Sequence, residues 1–290
     1  MLQILEYSVI GVASGSMYVL AALGFVIIFK STNIFNFAMG EMMMFGAYLF
    51  FAATVQLQLG WPIGLVLALA GSIVVAIVIE RVLLQPLLGQ PVIVLVLVTL
   101  GVGSMLRGVA GLIWGPDIVQ LPDILPRAPI FLGDLLVPGK LAWGSLSVGI
   151  IATLFILYYR YSRAGIAIRA TSSDQLPAEG MGINIRRIFT LTWAIGGVLA
   201  ACAGIVVGSL NGITPTLGLV ALNVLAVVML GGMTSVGGVV IAGIFIGWVE
   251  TLVGAYLGAA WQAFMPYLIV LLVMTVKPAG LFGERQIERI

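Results

Sequence analysis

Four ionisable residues stand within or at the edge of apolar stretches: Glu41, Glu80, Arg107 and Glu250. A charge near the centre of a bilayer costs roughly 2.5–3.5 kcal/mol or more, so each must face protein or a water-filled cavity. Glu80 and its neighbour Arg81 read as markers of a helix end at the membrane interface. Arg107 lies about two turns from the outer end of its helix and reads as a side chain that snorkels outward. Glu250 falls in mid-span and is the better candidate for a polar partner inside a bundle. These groups are too few for a proton relay, which counts against a proton-coupled carrier. Enzyme chemistry finds no support either. The chain has no histidine, which removes most zinc sites and every histidine-based triad. Its one cysteine, Cys202, sits in an apolar block and reads as a small core residue. The glycine-rich turn at 231–238 lacks the lysine of a phosphate-binding loop, and there is no GxSxG motif. Any energy source must come from another chain or from a gradient.

The elements that carry these residues follow from composition. Hydrophobic residues make up 61% of the chain and charged ones 8%, against about 25% charged in an ordinary soluble domain. That much apolar surface belongs in a bilayer, where unpaired backbone groups have no water and helices are the default spanning form. The ten-residue alternation of a β-barrel is absent. The N-terminal stretch has no basic region and no small-residue cleavage site, so the first helix is expected to direct its own insertion.

The pattern predicts an all-α polytopic membrane protein with helices over 7–29, 37–55, 63–79, 92–114, 143–159, 188–207, 239–256 and 261–276, plus a shorter apolar segment at 217–230 that contains Asn223. If that segment crosses fully there are nine spans and the N-terminus is outside; if it is re-entrant there are eight and the N-terminus is inside. Residues 117–140 hold four prolines and three aspartates and read as an extramembrane loop. Residues 160–187 form a polar interruption with five of the thirteen basic residues. Placing it in the cytoplasm puts ten of the thirteen basic residues inside, including Lys30, Arg81 and those of the tail, which is the orientation the positive-inside rule selects.

The chain thus reads as one transmembrane domain: a first half over 7–115, an extracytoplasmic loop at 116–141, a connecting helix and cytoplasmic loop at 142–187, a second half over 188–276 and a cytoplasmic tail at 277–290. Each half opens with a glycine-rich helix (Gly11 and Gly15; Gly204 and Gly208), then a polar turn, then an asparagine-containing segment. In the nine-span reading the halves are inverted, an arrangement typical of transport proteins. Further small-xxx-small pairs at Gly111/Gly115, Gly243/Gly247 and Gly254/Gly258 read as ordinary helix-packing positions. The cluster Met39, Met42, Met43, Met44 suits a lipid-facing surface, core filling or a surface that adapts to varied apolar groups.

At Asn36-Phe37-Ala38-Met39-Gly40-Glu41, followed by Gly46-Ala47-Tyr48, the sequence resembles the permease subunits of bacterial ABC importers for branched-chain and other hydrophobic amino acids. Gly15-Ser16-Met17-Tyr18 with Leu23-Gly24 is similar to that family's first helix. Arg169-Ala170, Asp174, Ala178 and Gly182-Ile183-Asn184 are similar to its coupling loop, and Leu230-Gly231-Gly232-Met233-Thr234-Ser235 with the ending Lys277-Pro278-Ala279-Gly280-Leu281-Phe282-Gly283 to its second-half turn and tail.

The resemblance implies a multi-pass subunit of the bacterial inner membrane that works with a second related permease, two cytoplasmic ATPases and a periplasmic binding protein. ATP and magnesium would sit on the partner subunits, with no cofactor on this chain and no nucleic acid involved. It implies coupling to the ATPases through Arg163, Arg169, Asp174, Ala178, Gly182, Ile183 and Asn184, and a translocation pathway near Asn36, Met39, Gly40, Glu41, Asn223, Gly231, Gly232 and Ser235. The implied cargo is a branched-chain or other small apolar amino acid. The same machinery importing urea, short amides or another amino acid is the alternative, with a gradient-driven carrier behind it. Two positions depart from the family pattern: Met39 stands where histidine is usual, and Pro177 falls in the expected coupling helix, which is then short and runs over about 177–182.

Overall fold

A computed structural model of the chain describes residues 2–87, 89–132 and 135–283. The tail arginines Arg285 and Arg289 and the loop's third aspartate, Asp134, lie outside the described residues. The helices are α1 (Leu2–Thr32), α2 (Met39–Phe51), α3 (Trp61–Val78), α4 (Val92–Trp114), α5 (Gly139–Tyr161), α6 (Arg163–Ser173), α7 (Gln175–Gly180), α8 (Ile185–Asn211), α9 (Val220–Gly231), α10 (Val236–Leu257) and α11 (Ala259–Val276). Among the described residues, seven helices are long and apolar enough to cross a membrane: α1, α3 with its continuation to Leu87, α4, α5, α8, α10 and α11. The two other expected segments fall on the shorter α2 and α9.

Glycine and proline set the boundaries. Pro62 lies in the first turn of α3, while Pro91 and Pro138 stand just before α4 and α5, where a missing N–H costs nothing. The helices α4, α8 and α10 end on Gly115, Gly212 and Gly258, with φ of 81°, 79° and 95°, a left-handed turn that glycine adopts without strain.

Two expectations about element bounds change. The third helix does not stop at Glu80-Arg81; it continues as a π-helical turn, Ile79–Leu84, and a 3-10 turn, Gln85–Leu87. The reason is that Glu80 is buried rather than interfacial: its carboxylate accepts from Gln85 Nε2 and from the Thr190 hydroxyl of α8, both at 2.9 Å. The extramembrane loop also holds a small antiparallel hairpin, β1 (Ile130–Leu132) with β2 (Leu135–Val137), and Val119 bridges to Ile213 after α8.

The centre of the bundle is α1 against α8, each about four-fifths buried over its most apolar stretch, whereas α11 is almost wholly exposed. Small residues allow the close crossings. A Cβ on Gly11 of α1 would lie 2.9 Å from the Trp248 Cα of α10, and one on Gly197 of α8 would lie 2.9 Å from the Ser72 carbonyl of α3. Not every small-xxx-small pair packs so: Gly111 and Gly115 face open space, Gly258 is a helix terminator, and Gly254 meets the Gln262 side chain.

Candidate functional site

Three groups of polar residues interrupt the apolar bundle. The first is at the start of α2. After α1 the chain turns back along it as an extended stretch, with Phe35 packed on Phe25 and Phe29. Thr99 of α4 holds this stretch, accepting from the Phe37 N–H at 3.3 Å and donating to the Phe35 carbonyl at 3.2 Å. Asn36 is buried and turns inward locally, its Oδ1 accepting from the Ala38 N–H at 3.1 Å and its Nδ2 donating to Met42 Sδ at 3.4 Å. The Met39 methyl fills the space beside Gly24 of α1. All four clustered methionines are core residues, each at most 3% exposed. Gly40 meets the carbonyl of Gly218, in the 3-10 turn Leu217–Leu219 that leads into α9.

Glu41 is buried and pairs with Arg107 of α4. Arg107 therefore does not simply snorkel outward: its part-exposed side chain turns to an acidic partner inside the bundle. Gly103 and Gly218 flank the carboxylate, and a Cβ on either would come within 3.1 Å of it. The void beside Asn36 and Met39 amounts to only about 40 Å³, room for one or two waters and not for a solute. The junction of α2 and α9 is closed in this conformation.

The second group joins α1, α9, α10 and α11. Glu250 of α10 accepts from the Tyr18 hydroxyl of α1 at 2.9 Å and from Asn223 Nδ2 of α9 at 3.4 Å. Tyr267 of α11 donates to Asn223 Oδ1 at 3.0 Å. The expected partner for Glu250 thus exists and is neutral. Tyr18 stood inside a singled-out motif without being assigned a role; Tyr267 carried no local signal, because four helices bring the group together. Gly231, Gly232 and Ser235 do not join it. Gly231 packs on Gly238, Gly232 on Gly283, and Ser235 caps α10 by accepting from the Gly238 N–H at 3.0 Å. The tail closes this corner, Leu281 N–H donating to the Leu230 carbonyl at 2.9 Å.

The third group is the polar segment between α5 and α8, which is helical and not an open loop. Ser162 caps α6 through the Gly165 N–H at 2.9 Å. Arg169 donates to the Tyr159 carbonyl and, at 3.0 Å, to that of Arg160, with its guanidinium over the Tyr159 ring. It thus satisfies the carbonyl end of α5. Asp174 caps α7 through the Leu176 N–H at 3.1 Å, and Asn184 caps α8 through the Arg187 N–H at 3.0 Å. The helix α7 begins two residues before Pro177. The proline therefore occupies the first turn, whose N–H groups have no partner within the helix. Ala178 is buried, its carbonyl accepting from the Ile183 N–H at 3.1 Å, and Gly182 turns at φ 85°. Arg163 is exposed, and so are two apolar residues that sequence reasoning passed over, Leu176 at 80% and Met181 at 85%.

Outside the bundle, Asp123 pairs with both Arg127 and Lys140, and hydrogen bonds from Arg127 and then Lys140 hold its carboxyl below the usual range. Lys140 also donates to the Ser209 carbonyl at the end of α8, at 3.4 Å.

Comparison with known proteins adds a family context. Residues 8–274 match the family described as branched-chain amino acid transport system / permease component. The chain is 30% identical to the high-affinity branched-chain amino acid transport system permease protein LivH of Escherichia coli K12, over 97% of this chain and 96% of that one. It is 28% identical to the corresponding protein BraD of Pseudomonas aeruginosa, over 99% and 98%. A solved structure, PsaBC from Streptococcus pneumoniae in complex with Fab, shares the fold with a TM-score of 0.52 at 12% identity, covering 93% of this chain and 91% of that one.

Proposed function

Because the chain belongs to the family of branched-chain amino acid transport permeases, we propose that it is the membrane subunit through which an ATP-driven importer moves branched-chain or other small apolar amino acids into the cytoplasm. It is a transport subunit and not an enzyme. Hydrolysis belongs to separate ATPase chains, which hold the nucleotide and its magnesium, and cargo is delivered by a binding protein on the other face. A second permease, related or identical, completes the pathway. The tail and the segment at 160–187 are cytoplasmic in this reading.

The observation that carries it is the pair α6 and α7. They project from an otherwise apolar bundle, are fastened at one end to α5 by Arg169 and continue at the other into the central α8 through the Asn184 cap. Leu176 and Met181 stand exposed between these anchors. A rigid, outward apolar knob tied to the core helix is suited to receive a push from another subunit.

The reading of two inverted halves has support of the same kind. The helix α1 packs on α10 and α8 on α3, so the first helix of each half meets the third helix of the other. Each half's second helix is short and follows a connecting stretch, which before α9 ends in a 3-10 turn, Leu217–Leu219. On this reading those two stretches complete the eighth and ninth crossings.

Reconstitution tests the function. The chain, purified with the ATPases and binding protein encoded beside it, is expected to hydrolyse ATP faster with leucine, isoleucine or valine present and to accumulate them in vesicles. Failure to bind any ATPase chain would sink the proposal, and stimulation by urea alone would reassign the cargo.

A further inference from the structure

A wide groove of about 850 Å³ runs along α1, α5 and α10, and no charged residue lines it. A smaller cavity of about 420 Å³ is lined by Lys140. It lies between the middle of α1, the start of α5, the end of α8 and the start of α9, and is within the size range of small-molecule sites. Its apolar wall includes Met17, Leu141, Val207 and Leu210.

Its two ends differ in charge. Lys140 lines the mouth, and there two cations, Arg127 and Lys140, share one carboxylate, Asp123. The trio carries a net charge of about +1. An ammonium has three donors; Lys140 uses one on Asp123 and one on the Ser209 carbonyl, leaving one for a ligand. Tyr18 lines the inner end, and its hydroxyl is bonded to Glu250, which has no cationic partner among the described residues. Val220 lines the cavity one turn before Asn223, the other donor to Glu250.

We propose that this cavity is a binding site within the permease for an aliphatic amino acid arriving from the extracytoplasmic side. The α-carboxylate lies toward Lys140, the α-ammonium toward the Tyr18 hydroxyl and the negative field of Glu250 behind it, and the side chain against the apolar wall. The site recognises the zwitterion as a dipole and the side chain by burial. Amines and carboxylic acids of the same shape therefore bind poorly. The inference rests on the reading of the chain as an amino-acid permease, and its test separates the two.

Leu210→Cys in a Cys202→Ala background, in the assembled complex, is exposed to a small cationic methanethiosulfonate from the outer face. Leucine is expected to slow labelling at least about tenfold, whereas isopentylamine and 4-methylpentanoate at equal concentration leave it unchanged. In transport, Lys140→Gln and Val207→Trp are expected to lower leucine uptake at least about tenfold, while Leu146→Trp, which fills the wider groove, does not. Labelling that leucine leaves unaltered overturns the site, as does equal protection by the amine or the acid. Uptake at the wild-type rate in both cavity variants overturns it too. A wild-type complex that imports no amino acid overturns the parent reading instead.

Discussion

Glu41 and Arg107 stand 66 positions apart, and neither is easily placed in a bilayer without the other. The carboxylate is buried at the start of α2, flanked by glycines at 103 and 218 that leave it room. Arg107→Met would strand that charge among apolar groups. The expected loss is roughly 1–3 kcal/mol, the cost of leaving a buried acceptor unpaired, below that of a fully buried pair because the Arg107 side chain is itself part-exposed. Adding Glu41→Gln should restore most of it, since a neutral amide needs less compensation. Thermal melts of the detergent-purified variants measure both effects; a single variant as stable as the wild type would mean the pair contributes nothing. Asp123, in the loop between α4 and α5, allows a second check. Its carboxyl is held low by Arg127 and Lys140. The stabilisation this gives is complete above the ordinary carboxylate value of about 3.9 and is lost only as pH falls through the lower folded value. Hydrogen exchange of residues 115–140, corrected for intrinsic rates, should hold steady from pH 7 to 5 and rise below about 4. Asp123→Asn should remove that acid dependence.

The helix α6 buries Ile168 against the core but otherwise has less apolar cover than α1 or α8, so polar anchors contribute to its position. Arg169 is the principal one, its planar fork reaching two carbonyls at the end of α5 while its face covers Tyr159. A lysine keeps the charge and loses the fork. Arg169→Lys is therefore expected to raise hydrogen exchange in residues 158–172 several-fold, while insertion and the exchange of α8 stay as they are; unchanged exchange at 158–172 would remove Arg169 as the anchor. This anchor also marks the limit of what was legible beforehand. Apolar run length located the long helices, because the bilayer forces that relation. The charge of the 160–187 segment was equally plain, and Asp174 and Asn184 were singled out there for coupling, whereas the structure shows them as caps of α7 and α8. Their work as helix caps is a local geometry that residue type alone permits without specifying. What no local pattern disclosed were the groups assembled from distant helices: Glu80 with Thr190, Glu41 with Arg107, and Tyr18 with Glu250, Asn223 and Tyr267. Glu80 was misjudged for a related reason, since a charge at the end of an apolar run looks interfacial until the helix packed beside it is known.

On the proposed reading, the molecule must turn a push at one cytoplasmic point into a rearrangement at mid-membrane. The path for it is short. The helix α8 starts at the Asn184 cap, a few residues after α7, and runs 27 residues, about 40 Å at 1.5 Å per residue. It packs along α1, α2 and α3. A Cβ on Gly46 of α2 would lie 2.6 Å from the Ala201 Cα of α8, so α2 has no slack against α8, and a tilt of one displaces the other. The junction at Gly40, Glu41 and Gly218 lies at the start of that same α2. An interior packed this closely transmits strain where a loose one would absorb it. The force must enter through side chains that touch the ATPase and nothing in the permease, and Leu176 and Met181 are exposed in that way. Leu176→Asp with Met181→Asp should therefore leave the fold and its melting temperature unchanged while lowering ATP-driven uptake at least about tenfold. The ATPase chains should hydrolyse ATP without responding to cargo, or fail to copurify. Asp174→Ala differs in kind: it removes a helix cap worth about 1 kcal/mol, so its effect on uptake should come with faster exchange in α7. If the double aspartate variant transports normally, the coupling knob lies elsewhere on the cytoplasmic face. If instead it melts early, the two side chains are structural, and the exposure that singles them out has another cause.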